Sequence, residues 1–277
     1  MAEPRATVRR LLVATDGSAA ALAALRMART LAIPAATGVA VVAVTDRADA
    51  DPTHLSARMD RRLALVQSQL ATIDGAATTW PLETAVGEPA AEICRCASAR
   101  GVDLVVVGLG RYAAGDRLLG SETALRVACR AAVPVLAVPA DADARARVGV
   151  CGVSADAVLA SATARAAAGL LAPDGVLHLA HVAPYAGACE ACGARAHLAA
   201  AATAAAATRA ADPLHVETGL LRGAPADALL ALAREHGAGL IALGRRRGSA
   251  QADPDSTLAR VFRGAECAVL VVPAPAA

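Results

Sequence analysis

Apolar residues fall in short runs of β-branched character, separated by stretches with helical spacing. In the first half of the chain, runs at 8–14, 38–44, 79–86, 102–107 and 133–138 predict five strands, and the segments between them predict helices over 19–32, 55–73, 89–99 and 121–131. Leu104, Val105, Val106 and Val107 are continuously apolar, the pattern of a strand buried on both faces within a helix-covered parallel sheet. Pro89 follows Gly87 and Glu88 where a first-turn proline is tolerated, and Gly101 stands where a left-handed cap would end that helix. Strict alternation of strand and helix predicts a doubly wound, Rossmann-like α/β domain with a five-stranded parallel sheet and helices on both faces.

The pattern then repeats. At an offset of 136 residues Ser18 aligns with Ser154, Gly87 with Gly223, Pro89 with Pro225, Gly101 with Gly237 and Gly108 with Gly244. Near the end the offset slips to 134, pairing Val138 and Pro139 with Val272 and Pro273, so the second copy has lost two residues after Gly244. The expected organisation is a first domain over 1–140, a polar, alternately charged linker over 141–146 and a second domain over 147–277. A chain of 277 residues suits two domains, each able to bury a core.

Composition narrows the chemistry. The hydrophobic fraction of 56% is rich in alanine, and no apolar run reaches the roughly 20 residues that a spanning helix needs, so no membrane association is expected. The apolar run 11–14 is cut at Asp16, too short for a signal-peptide core, and a cytoplasmic protein is expected. A net charge of +2 and 1% aromatic residues argue against nucleic acid as a partner. All 27 basic residues are arginine. Without lysine, a Walker-type phosphate loop and Schiff-base chemistry are excluded, and phosphate must be held by amides, hydroxyls or arginine.

Ligands of open parallel sheets bind at the carboxyl ends of the strands where the winding reverses. Those ends are 15–18, 45–46 and the loop 108–121. The loop runs Gly108, Leu109, Gly110, nine residues, then Gly120 and Ser121 at a helix start. Glycines let the backbone approach phosphate oxygens, and a helix start offers unpaired amides with a favourable dipole. The same residues also suit a plain glycine-rich connection capped by serine.

Four segments then carry a likeness: Ala14 to Ser18 closing the first strand, Gly87 to Ile93 turning into a helix, Val102 to Gly108, and Val133 to Pro139. In these segments, and across nearly its whole length, the chain resembles a tandem universal stress protein, two UspA-type domains with the adenine nucleotide alpha-hydrolase-like fold. ATP-binding members of that family carry glycine, two residues, glycine, nine residues, glycine and then serine or threonine. Here Gly110, the nine-residue gap, Gly120 and Ser121 match, while Gly108 and Gly110 stand one residue too close. The resemblance implies ATP or another adenine nucleotide in the first domain, with Asp16 beside adenine and ribose, the backbone at Thr45 on the adenine edge, and Gly108, Gly110, Arg111, Gly120, Ser121 and Thr123 around the phosphates. In the second copy Gly152 replaces Asp16, Pro254 replaces Gly120 and Asp255 replaces Ser121, so binding is expected in the first domain only. Arg245, Arg246 and Arg247 in the second copy suit a solvated surface or an anion contact. The resemblance also implies an intramolecular pseudo-dimer through the final strands, 133–138 and 268–272, with further homodimerisation open.

Cys189 and Cys192 are spaced as a thiolate pair that suits zinc, with His181 or His197 as completing ligands, a redox dithiol, or an inert loop. His178 and His181, three apart on a strand, face opposite ways. Cys94, Cys96, Cys129, Cys151 and Cys267 are expected to be small core hydrophobes, and 199–211 an alanine-rich helix. His54, His215 and His236 stand in no spacing that suggests a catalytic set. The expected function is a non-catalytic, nucleotide-binding stress or regulatory protein. Its rivals are an ATP-hydrolysing enzyme and a nucleotide-independent interaction scaffold.

Overall fold

The computed structural model describes residues 8–32, 38–46, 55–73, 79–110, 119–143, 145–183, 193–209, 212–246, 253 and 255–275, with 119–121 as backbone only. The chain divides into two compact units, Val8–Ala144 and Arg145–Ala277.

The first unit runs β1 (Arg10–Thr15), α1 (Ala19–Ala32), β2 (Gly38–Thr45), α2 (Leu55–Thr72), β3 (Leu82–Val86), α3 (Pro89–Arg100), β4 (Leu104–Leu109), α4 (Leu119–Arg130) and β5 (Val135–Pro139). Its strands are all parallel, in the order β3-β2-β1-β4-β5. The five strands stand where the apolar runs predict them. β3 opens at Leu82 rather than 79, because Pro81 has no N–H for the ladder and contributes only its carbonyl, which accepts from Val41 N at 2.9 Å. β4 opens at Leu104 rather than 102, because Val102 N still bonds to Ala97 O in the cap of α3.

Central strands lose both faces to the core: five of the six residues of β1 are buried, as are seven of the eight in β2. Alanine makes α1 thin. Ala20, Ala21, Ala24 and Ala28 are buried, and the helix lies so close to β4 that only glycine fits at position 108. In α3, Glu88 caps the first turn through Ala91 N at 2.8 Å, Pro89 opens the helix, and Gly101 closes it at φ 55° and ψ 48°. That left-handed conformation is the one glycine adopts without penalty.

The second unit repeats the plan with β6 (Val148–Gly152), α5 (Ala157–Leu170), β7 (Val176–Ala183), α6 (Ala194–Thr208), β8 (His215–Arg222), α7 (Pro225–Glu235), β9 (Leu240–Arg245), α8 (Thr257–Gly264) and β10 (Ala268–Pro273). Its parallel order is β8-β7-β6-β9-β10. In each unit the first strand lies between the second and the fourth, so the winding reverses beside it and a crevice opens at the carboxyl ends. No described helix is long and apolar enough to cross a membrane.

Candidate functional site

The first unit's site begins where β1 ends. Thr15 Oγ1 accepts Gly17 N–H at 3.2 Å, Asp16 Oδ1 accepts Ser18 N–H at 2.9 Å, and Ser18 Oγ caps α1 by accepting Ala21 N–H at 3.1 Å. Gly17 turns the chain at φ 82°, and Leu65 of α2 lies against it so closely that a Cβ would fall 2.3 Å from Leu65 Cδ2. Gln69 Nε2 donates to Gly17 O at 2.7 Å, and Arg62 Nη1 donates to Val44 O. The turn is therefore held from above by α2 and from below by its own Asx and serine bonds.

Between this turn, the end of β2, the end of β4 and the first turns of α4 lies a cavity of about 480 Å³. That is within the roughly 300–1,000 Å³ common for small-molecule sites. Asp16 and Ser18 line it from β1, Val44 and Asp46 from β2, Gly108 and Gly110 from β4, and Thr123 and Arg126 from α4. The opening amides of α4 have no intrahelical acceptors, and Glu122, Thr123 and Ala124 at that end all border the cavity.

Of the residues expected at a ligand, Asp16, Gly108, Gly110 and Thr123 share this one cavity. Thr45 does not border it. The side chains alternate along the strand, so Val44 and Asp46 face the space, while Thr45 is buried and its carbonyl accepts Gly87 N–H at 3.1 Å. Gly120 and Ser121 lie in the first turn of α4, which starts at Leu119 rather than 121. Arg111 lies outside the described residues. Sequence spacing gave no sign of Arg62, Glu88 or Arg126. Arg62 lies on the polar face of α2, where its charge alone does not mark it.

Charge in the cavity is mostly engaged. Glu88 Oε2 accepts from Arg130 at 2.7 Å, its Oε1 stands 3.6 Å from Arg126, and Arg126 also pairs with Glu122 one helical turn away. Burial pushes the Glu88 carboxyl up, but the Ala91 amide and Arg130 outweigh it and hold it below the usual range. Asp16 is held by the Ser18 amide.

In the second unit the counterpart glycines meet larger apolar side chains. A Cβ on Gly152, which takes the position of Asp16, would lie 3.0 Å from Leu243 Cδ2 and 3.1 Å from Leu229 Cδ1. At Gly244, the counterpart of Gly108, a Cβ would meet Leu159 Cγ at 2.7 Å and Thr163 Oγ1 at 2.9 Å. Leu159 replaces Ala23 and Leu243 replaces Val107. Ser256 caps α8 through Ala259 N at 3.2 Å, and Asp255 N–H is held by Asp253 Oδ1 at 3.0 Å, so acidic groups crowd that helix start. Pro254 and Arg247 lie outside the described residues, while Arg245 closes β9.

Among the described residues no group of histidine, cysteine and carboxylate is arranged to hold a metal ion. Cys189 and Cys192 lie outside the described residues. His181 is buried on β7 with Nδ1 2.8 Å from Val153 O, and His197 stands on α6. Cys96, Cys129, Cys151 and Cys267 are buried, and Cys94 is half-buried. Burial pushes the Cys151 thiol up to about 12 and Cys267 to about 11.

His215 and His236, isolated in sequence, are not isolated in space. The parallel register sets His178 opposite Glu217, so His178 Nδ1 lies 3.1 Å from Glu217 Oε2 and His215 Nε2 3.3 Å from Oε1. The His236 ring, at the end of α7, lies 4.0 Å from the His178 ring between centroids.

The universal stress protein family model matches the chain twice, over residues 7–139 and 150–273. A universal stress protein from Archaeoglobus fulgidus DSM 4304 superposes with a TM-score of 0.70 at 17% identity, covering 96% of both chains. A putative universal stress protein from Pseudomonas aeruginosa UCBPP-PA14 superposes with a TM-score of 0.58 at 20% identity, covering 96% of this chain and 93% of the other. These structures share the fold over the full tandem length. Comparison with curated proteins finds no match.

Proposed function

Because the chain belongs to the universal stress protein family, we propose that it is a non-catalytic binder of an adenine nucleotide, ATP or a close relative, with the ligand in the first unit only. One observation carries the reading. The cavity of about 480 Å³ lies at the carboxyl ends of β1, β2 and β4 and borders the start of α4, where a nucleotide's base, ribose and phosphates each meet suitable chemistry. Asp16 faces the ribose, and the main chain around Val44 and Asp46 faces the base. Gly108 and Gly110 present bare backbone to the phosphates, beside Thr123 and the α4 amides. Gly120 and Ser121 stand in that helix's first turn, and Arg111 is assigned to the phosphates on the family pattern alone.

Two features support binding rather than turnover. The carboxylates of Glu88 and Glu122 are tied to arginines and that of Asp16 to a main-chain amide, arrangements that fix geometry more readily than they free a general base. The chain's lack of lysine removes the usual phosphate-loop cation. Ligand binding then acts by shifting a conformational or partner equilibrium, as expected of a stress-response regulator.

Isothermal titration of the full chain with ATP and with adenosine, alongside a phosphate-release assay, tests this. Binding that Asp16→Ala weakens, with no steady phosphate release, is expected. Sustained release would make the protein an enzyme, and no binding of either compound would leave an interaction scaffold.

A further inference from the structure

A nucleotide base is usually held between flat groups, and none of the described residues lining the cavity is aromatic. The walls at the base end are aliphatic: Val42, Val44, Ile93 and Val107. One planar side chain reaches that end. Arg62 comes from α2, is half-buried, lines the cavity and donates from Nη1 to the carbonyl of Val44, at the mouth of β2.

This bond has a geometric consequence. A guanidinium donates in its own plane, so the bond to the Val44 carbonyl ties an edge of the group to the strand end that borders the cavity. Arg62 is held on a helix that is itself docked on the site, through Gln69 on Gly17 O at 2.7 Å and Leu65 packed on Gly17. Its other neighbours on the helix, Val66 and Leu70, are buried and anchor the segment. The side chain is thus held at the mouth of β2, on the lining of the cavity.

Resting on the nucleotide reading above, we propose that Arg62 is the stacking platform for the ligand's base, in place of an aromatic side chain, and that it contributes equally to nucleosides and nucleotides. Arginine faces attract π-systems by cation–π and stacking interactions, and a desolvated site strengthens them. Lysine at the same position would keep the charge and lose the plane.

The test is titration of wild type, Arg62→Lys, Arg62→Ala and Tyr112→Ala with adenosine and with ATP, Tyr112 being an aromatic residue of the glycine loop that lies outside the described residues, and each variant is first checked for an unchanged melting transition. Arg62→Ala and Arg62→Lys are both expected to weaken adenosine and ATP by the same factor, about tenfold. Four outcomes would overturn the proposal. They are full rescue by lysine, a loss for ATP without a loss for adenosine, tighter binding on removal of the arginine, and a loss confined to Tyr112→Ala. Failure of the nucleotide reading looks different, because wild type would then bind neither compound.

Discussion

Gly108 stands so close to α1 that a Cβ on it would lie 2.7 Å from the main-chain carbon of Ala20. Both sides of that contact are backbone, so neither can swing away. Gly108→Ala is therefore expected to force β4 and α1 apart, at a cost of about 1–3 kcal/mol, the range usual for overpacking. Gly244 meets side-chain atoms of Leu159 and Thr163 instead. These can rotate, and Gly244→Ala should cost less. Urea denaturation of the two variants measures both, and an equal or reversed order would contradict the argument.

The two copies should respond differently to exchange at the start of their fourth helices. Ser121→Asp places a carboxylate where the first unit would meet phosphate, and ATP affinity should fall at least tenfold, since like charge and a lost donor act together. Asp255→Ser in the second unit should leave affinity unchanged. Equal loss from both, read by titration calorimetry, would contradict a division of labour.

Stability should depend on pH through His178. Burial, and then His236, hold its pKa below the ordinary histidine value, with Glu217 opposing them. The unfolded chain therefore binds the proton more readily than the folded one. Folding free energy should be full above about pH 7 and fall as pH drops through about 6.5 towards 5. His178→Gln should flatten that slope. Denaturation midpoints across the range decide it, and a wild-type profile flat between pH 5 and 7 would remove the argument.

Cysteine reactivity should follow burial. Cys151 and Cys267 are pushed to about 12 and about 11, so almost no thiolate exists at neutral pH. Neither should take up iodoacetamide in the native protein, and both should do so in denaturant. Native labelling of Cys151, mapped by peptide mass spectrometry, would contradict the packing of β6.

Much of this architecture is legible in residue order because periodicity, glycine and proline carry local physics. Leu104 to Val107 announce a central parallel strand, and Gly101 and Pro89 mark the ends of α3. The repeat offset alone places Gly152 against Asp16. Tertiary facts are less visible. Val44 and Asp46 face the cavity instead of Thr45 because of strand alternation, a one-residue matter that a motif does not fix. Arg62 reaches the site only because α2 folds back over β2, and the meeting of His178 and His215 at Glu217, with His236 against His178, depends on strand register and the end of a distant helix. The close packing of Leu229 and Leu243 on Gly152, and of Leu159 on Gly244, likewise appears only once the helices are packed.

The central claim is one ligand per chain, held in the first unit. Native mass spectrometry of the full chain with excess ATP counts it directly. A single added nucleotide is expected, lost in Asp16→Ala and retained in Asp255→Ser. Two nucleotides per chain, or none, would contradict the account.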